Sequence, residues 1–268
     1  MTPTPHLERR GAGTPVLFVH GNGVDHRAML SLDDAFADAA WERLYPDLPG
    51  FGATPPLGAP GGLPELADWL DRMAEELLGS TPFAVVGSSL GGLLARELAA
   101  RRPDQCLGIA LLAPVVDPVQ RNRTLPPSAV LVEDPALIAG LSAEDAAAYT
   151  ELAVVQSPEN WERFRRSVLP GLRAADVRAM ARLAKDYALP ALPDDRLGSL
   201  DRPVLIVTGR QDAVVGYQDQ WALAQRLPRA TYVLLDRAGH NIEIDAPDAV
   251  HDLLRHWSAQ VAERTVAR

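Results

Sequence analysis

Five short apolar runs punctuate this chain: Val16 to His20, Phe83 to Gly87, Leu107 to Ala113, Val204 to Thr208 and Thr231 to Leu235. Each is too short for a buried helix and is bounded by turn residues, which reads as a strand covered on both faces. Most of the stretches between them carry helical spacing. Strands alternating with helices pair side by side in the parallel sense, because each helix supplies the crossover that parallel pairing needs. The expected fold class is therefore α/β, with a mostly parallel central sheet flanked by helices. Arg43 to Pro46 is expected to add a strand, since it follows a helical stretch from Met29 to Ala40 and precedes a Pro/Gly turn. A chain of 268 residues with 47% hydrophobic content has enough apolar material for one such core with an insertion.

The alternation stops between roughly residues 116 and 198, where three helical patterns replace it. The second starts with Ser157 as N-cap and Pro158 in the first helical position, and puts Trp161, Phe164 and Val168 on one face. The third places Val177, Met180, Ala181 and Ala184 together. The βα pattern resumes at Arg202, after the polar stretch Pro193 to Ser199. The expected organisation is a core made of residues 1–115 and 199–268 with a helical insertion at 116–198.

A net charge of -9, with Lys and Arg thinly spread, provides no footprint for a phosphate backbone and argues against nucleic-acid binding. The start, MTPTPHLERR, has two prolines and no apolar run, and no later stretch approaches membrane-spanning length. A soluble, cytoplasmic protein is expected. Cys106 is the single cysteine, which excludes an internal disulfide and a multi-cysteine zinc site. It borders an apolar run and reads as a buried, inert thiol.

Gly87-Ser88-Ser89-Leu90-Gly91 fits G-x-S-x-G and lies between the strand Phe83 to Val86 and a helix whose Leu90, Leu94 and Leu98 share one face. A turn this sharp strains its central residue, and glycines two positions to either side let strand and helix approach. Ser89 is the candidate nucleophile, and the Leu90 N–H can donate to a developing oxyanion. His20-Gly21-Asn22-Gly23 follows the first apolar run and can present further N–H groups, with Asn22 as the second donor and His20 holding the loop. Asp212 follows a strand through Gly209-Arg210-Gln211, which places a carboxylate at a strand's carboxyl end. His240 follows the last strand in Ala238-Gly239-His240-Asn241. A serine is a weak nucleophile until an imidazole takes its proton, and the imidazole needs a carboxylate to fix its tautomer. Ser89, His240 and Asp212 supply these types, and the chemistry requires neither metal nor cofactor. Asp117, after the strand ending at Ala113, is the competing acid.

Taken together, HGNG, YPDLPGFGAT, GSSLGG, GRQD and AGHN resemble the α/β-hydrolase superfamily over essentially the whole chain. The resemblance implies that Asp47 to Gly52 forms a turn in which Asp47 stabilises loops near the site. It also implies that the inserted helices form a cap. Few residues precede the first apolar run, too few for the opening β-hairpin pair usual in that superfamily, so a sheet with fewer strands is expected. Serine at 89 argues against the dehalogenase and epoxide hydrolase branches, which use aspartate. The implied activity is carboxylic ester hydrolysis of a small or medium, largely apolar substrate through an acyl-enzyme. Lactonases, thioesterases, carbon–carbon bond hydrolases and cofactor-free haloperoxidases share the same three residues, and some similar proteins are ligand receptors.

Tyr149, Leu152, Trp161, Phe164 and Met180 are candidates for an apolar substrate pocket, although residues of these types at helical spacing more often pack internally. Arg163, Arg165 and Arg166 are candidates for recognising a substrate carboxylate, against the alternative of a solvated helix face.

Overall fold

The computed structural model describes residues 3–37, 40–197 and 200–266. Its strands are β1 (Leu7–Arg10), β2 (Thr14–Val19), β3 (Trp41–Pro46), β4 (Phe83–Ser88), β5 (Cys106–Leu112), β6 (Val204–Gly209) and β7 (Ala230–Leu235). They form one sheet in the order β1-β3-β2-β4-β5-β6-β7, parallel except where β1 pairs antiparallel with β3. The α/β expectation therefore stands.

Side chains alternate across the sheet. Leu17, Val19, Val85, Ile109, Leu111 and Ile206 join one buried cluster, and Val16, Phe18, Val86, Ala110, Leu112 and Val207 join another. Helices α1 (His26–Leu30), α2 (Leu63–Leu78) and α3 (Leu90–Arg101) follow in the first half. From Leu90 to Ala99 every residue of α3 is buried, so this helix is enclosed all round and not merely amphipathic.

After β5 come α4 (Pro135–Ala139), α5 (Ala143–Thr150), α6 (Pro158–Ser167), α7 (Leu169–Ala174), α8 (Val177–Lys185) and α9 (Asp194–Leu197). The core resumes with β6, α10 (Gln218–Arg226), β7, α11 (Ile242–Asp245) and α12 (Pro247–Val266). Among the described residues, no helix is long and apolar enough to cross a membrane.

The sheet opens on one strand, Leu-Glu-Arg-Arg as β1, and not on a hairpin pair, in line with the few residues before the first apolar run; its polar side chains suit an edge strand. Three expectations need correction. The helical stretch from Met29 to Ala40 is broken into α1 and a 3-10 turn at Asp33–Phe36, and residues 38–39 lie outside the described residues. The region 116–198 holds six short α-helices where three patterns were expected, with prolines opening α4 and α6 and Pro170 at the start of α7. In α8 the buried face is Ala179 and Leu183 with Met180 beside them, whereas Val177 is 80% exposed and Ala181 and Ala184 face solvent. Within α6 the expected start is present: Ser157 Oγ accepts from the Asn160 N–H at 3.2 Å. The expected return to the core at 198–199 lies outside the described residues.

The helices between β5 and β6 rest on loops at the carboxyl ends of the strands. Gly171 in α7 lies against Val24 and Asp25, after β2, so closely that a Cβ there would sit 2.7 Å from the Asp25 nitrogen. The Asp176 N–H donates to Gly50 O, after β3, at 2.8 Å. Gly239, after β7, meets Val154.

Candidate active site

Ser89 stands between β4 and α3 with φ 52° and ψ -118°, one of two non-glycine residues with positive φ among those described. Three bonds hold this strained turn: the Ser89 N–H donates to Leu112 O at 3.0 Å, and Ser89 O accepts from the N–H groups of Gly92 and Val115, both at 3.0 Å. Gly87 and Gly91 are required by contact as well as by the turn. A Cβ on Gly87 would enter the Gly91 backbone, and one on Gly91 would strike Val19 O.

His240 Nε2 lies 3.0 Å from Ser89 Oγ, and its Nδ1 lies 2.9 Å from Asp212 Oδ2. Asp212 is fully buried, and its other oxygen accepts from the N–H groups of Val214 at 2.8 Å and Val215 at 2.9 Å. The carboxylate is thus fixed by the turn that follows β6. Burial opposes the charged form of His240, but the Asp212 carboxylate outweighs it by charge and by hydrogen bond, with Glu243 adding to the effect, and the ring lies above its ordinary value. Asp117 is occupied elsewhere: it accepts from the Val119 N–H and from Asn122 Nδ2, each at 2.7 Å, within its own loop.

The turn after β2 faces the same serine, since a Cβ on Gly21 would lie 3.2 Å from Ser89 Cβ. Among the described residues, no protein group accepts from the Asn22 or Leu90 N–H. His20 holds this turn. The Leu48 N–H donates to its Nε2 at 2.9 Å, so Nδ1 carries the proton and donates to Gly21 O at 2.8 Å, and burial lowers its pKa and keeps the ring neutral.

Asp47 ties neighbouring loops together. Its Oδ1 accepts from the His26 N–H at 2.9 Å and its Oδ2 from the Ala53 N–H at 2.9 Å. Burial works against its charge, but the His26 side chain and these N–H groups hold it down at about 2.

Of the apolar candidates, Tyr149, Trp161 and Phe164 pack on one another with ring centroids 5.4–6.0 Å apart. Tyr149 and Phe164 also border a small cleft beside Asn241 and Ile244. Met180 sits near the turn after β2, its Cε 3.8 Å from where a Cβ on Gly23 would be. A second, shallow cleft reaches His240 and is bordered by Val130, Leu152, Gln211 and Val214. Leu152 lines both. Arg165 and Arg166 pair with Glu162 on an exposed face, and Arg163 donates to Asn160.

Sequence reasoning missed the cleft residues around Val130 and Gln211, although Gln211 stands inside the GRQD motif. It also missed Glu243, three positions after His240. The Oε2 of Glu243 is buried without a hydrogen-bond partner among the described residues, and burial pushes the carboxyl up to about 7. Cys106 is buried and its thiol is pushed up to about 12 by burial.

A mostly parallel sheet with a strained serine at the β4 to α3 turn defines a class of enzyme, and comparison with known proteins identifies it. A model described as the alpha/beta hydrolase family matches residues 16–253, and the chain belongs to that family. The crystal structure of an alpha/beta superfamily hydrolase from Oenococcus oeni PSU-1 superposes with a TM-score of 0.89 at 26% identity, covering 98% of this chain and 100% of that one. The chain is 25% identical over 277 residues to a pimeloyl-acyl-carrier protein methyl ester esterase of Shewanella sp. (strain MR-7), covering 96% of each. It is 28% identical over 262 residues to the dihydrolipoyllysine-residue acetyltransferase component of the acetoin cleaving system of Cupriavidus necator, where it spans 92% of its own length and 64% of that protein.

Proposed function

We propose that this enzyme hydrolyses carboxylic esters of small or medium size and largely apolar character, with Ser89 as nucleophile, His240 as general base and Asp212 as the acid that orients it. The observation that carries this reading is the continuous relay from Ser89 Oγ through both nitrogens of His240 to Asp212. With Nδ1–H donated to Asp212, Nε2 is free to accept, so attack of Oγ on a substrate carbonyl transfers the serine proton to Nε2. The carbonyl oxygen becomes an oxyanion facing the N–H groups of Asn22 and Leu90. Collapse breaks the ester C–O bond and the leaving alkoxide takes the proton from His240. Water then attacks the acyl carbon and gives its proton to His240, and as the C–O bond to Ser89 breaks His240 returns that proton to Ser89 Oγ, releasing the acid and the starting enzyme.

The helices of 116–198 act in this reading as a cap, with Leu152 and Val130 giving the cleft at His240 its apolar wall. The ester preference also agrees with the name of the Shewanella relative, a methyl ester esterase.

Multiple turnover of short activated esters, compared with the Ser89→Ala variant, is the test. Ser89→Ala should fold and lose about four to six orders of magnitude in turnover. Near-normal turnover in the variant rejects the nucleophile, and a single acylation without release, together with ligand-dependent partner capture, favours a receptor.

A further inference from the structure

His6, His26 and Asp47 form a second cluster that the proposed reaction does not use. His26 Nδ1 lies 2.7 Å from Asp47 Oδ1 and His6 Nδ1 lies 3.0 Å from Asp47 Oδ2. One potential ligand atom from each of the three residues falls within 4.8 Å of the others, and the two imidazole centroids are also 4.8 Å apart. We infer that this cluster is a binding site for one borderline divalent transition-metal cation such as Zn2+, Co2+ or Ni2+, held by His6 Nδ1, His26 Nδ1 and the Asp47 carboxylate.

Donor spacing supports the assignment. With metal–nitrogen and metal–oxygen bonds of about 2.1 Å, two ligands at right angles on one ion stand about 3.0 Å apart, and two at the tetrahedral angle about 3.4 Å apart. The observed separations of 2.7 and 3.0 Å, each to a different Asp47 oxygen, are within a few tenths of an ångström of that edge, and the donor set, which spans up to 4.8 Å, would have to close to the about 4.2 Å that one ion allows by a small turn of the exposed His6 ring. The chemistry also matches. Both imidazoles bring Nδ1 to the same carboxylate, His26 by a hydrogen bond and His6 by an ion-pair contact. An ion would take the Nδ1 lone pairs of both rings in their Nε2–H tautomers, with any further ring proton released to solvent, and so satisfy all three side chains. Two nitrogens and a carboxylate favour borderline cations over Mg2+ or Ca2+, which prefer all-oxygen sites.

The backbone holds the three ligands in place before any ion arrives. The His6 N–H donates to Thr54 Oγ1 at 2.8 Å, and His6 O accepts from the Asp47 N–H at 2.9 Å. Asp47 itself accepts from the N–H groups of His26 and Ala53, which fill one acceptor direction on each oxygen and leave the other toward the imidazoles. Gly52, with φ 52°, makes room for the carboxylate, since a Cβ there would overlap it. Access is from the His6 side, where that side chain is 41% exposed while Asp47 is fully buried. An ion here would clip the segment before β1 to the loop after β3 and to the start of α1. It would touch none of the reacting atoms, and is therefore compatible with a reaction that needs no metal.

Titration calorimetry of untagged, chelator-treated protein with Zn2+ and with Mg2+ tests the site, using His6→Ala and His240→Ala as comparison variants. One equivalent of Zn2+ should bind the wild type and His240→Ala, with a rise in Tm, and Mg2+ should not bind. His6→Ala alters a largely accessible side chain and should weaken Zn2+ binding by more than the about 10- to 100-fold that loss of an outer partner costs. Cobalt-induced shifts of the His6 and His26 ring protons should accompany binding. Absence of saturable Zn2+ binding overturns the inference, as does binding that survives in His6→Ala or disappears in His240→Ala.

Discussion

In the proposed reaction His240 has to be basic enough to take a proton from Ser89 and neutral enough to be ready for it. Burial favours the neutral ring, and the Asp212 carboxylate favours the charged one more strongly, with Glu243 on the same side and Arg123 opposing. The ring is therefore raised above the usual 6.5. Only the deprotonated ring can act as base, so kcat/KM should rise with pH along a limb centred above 6.5. Asp212→Asn removes the charge that raises the ring and leaves burial in place. Its limb should move to lower pH, and its plateau should fall by about 10⁴-fold, because the wrong tautomer becomes accessible. Asp117→Asn should leave both the limb and the plateau in place, since Asp117 bonds only within its own loop. A pH–rate series on the three proteins decides the matter, and a reversed ranking would transfer the acid role to Asp117.

At the scale of elements, α3 has to hold the strained serine at its amino end while being buried on every side. Arg96, fully buried in the middle of this helix, anchors it. Its guanidinium pairs with Asp194 of α9 and donates to Val115 O at 2.6 Å and Val116 O at 3.0 Å, directly after β5. The same stretch donates the Val115 N–H to Ser89 O, so one cation joins α3 to both ends of the inserted region. Asp194→Ala would leave the guanidinium without its bonded carboxylate in a dry environment, at a cost of about 3 kcal/mol in unfolding free energy. Chemical denaturation should show this as a lower midpoint with an unchanged slope. Pairing Asp194→Leu with Arg96→Met should recover much of the loss, because two apolar side chains leave no uncompensated charge. Arg165→Ala, which breaks an exposed contact with Glu162, should leave the denaturation midpoint where it is.

Across the whole molecule, the proposed reacting groups follow the carboxyl ends of the strands, and the inserted helices rest on loops at those ends. In the proposed reading, site chemistry and substrate choice fall to different parts of the chain. Leu152, in the segment between α5 and α6, borders both clefts. Leu152→Trp would fill space near His240 without touching Ser89 or Asp212. KM for esters with longer acyl chains should rise about 10-fold, while kcat on an acetate ester stays close to wild type. A uniform fall in kcat across chain lengths would place Leu152 in the support of the reacting groups and not in the substrate wall.

The sequence by itself determined the features that depend on neighbouring residues. A strand buried on both faces has to be an apolar run, so β2, β4, β5 and β6 were legible, and the half-buried edge strand β7 was legible from its own apolar run. A serine turn between such a strand and a helix needs glycine at fixed offsets, so Ser89 was legible as well. The polar strand β1 was not, because an edge strand is specified by its partner β3 and not by its own composition. The aromatic residues of α5 and α6 announced an apolar cluster, but spacing along a helix does not say whether that cluster faces a substrate or itself. Tertiary structure decided that Tyr149, Trp161 and Phe164 pack on one another. It also decided that His240, 151 residues from Ser89, meets that serine and Asp212 while Asp117 stays in its own loop. The grouping of His6, His26 and Asp47 is of the same kind. Contacts between distant residues follow from how the strands are ordered in the sheet, and no local pattern of side chains encodes that order.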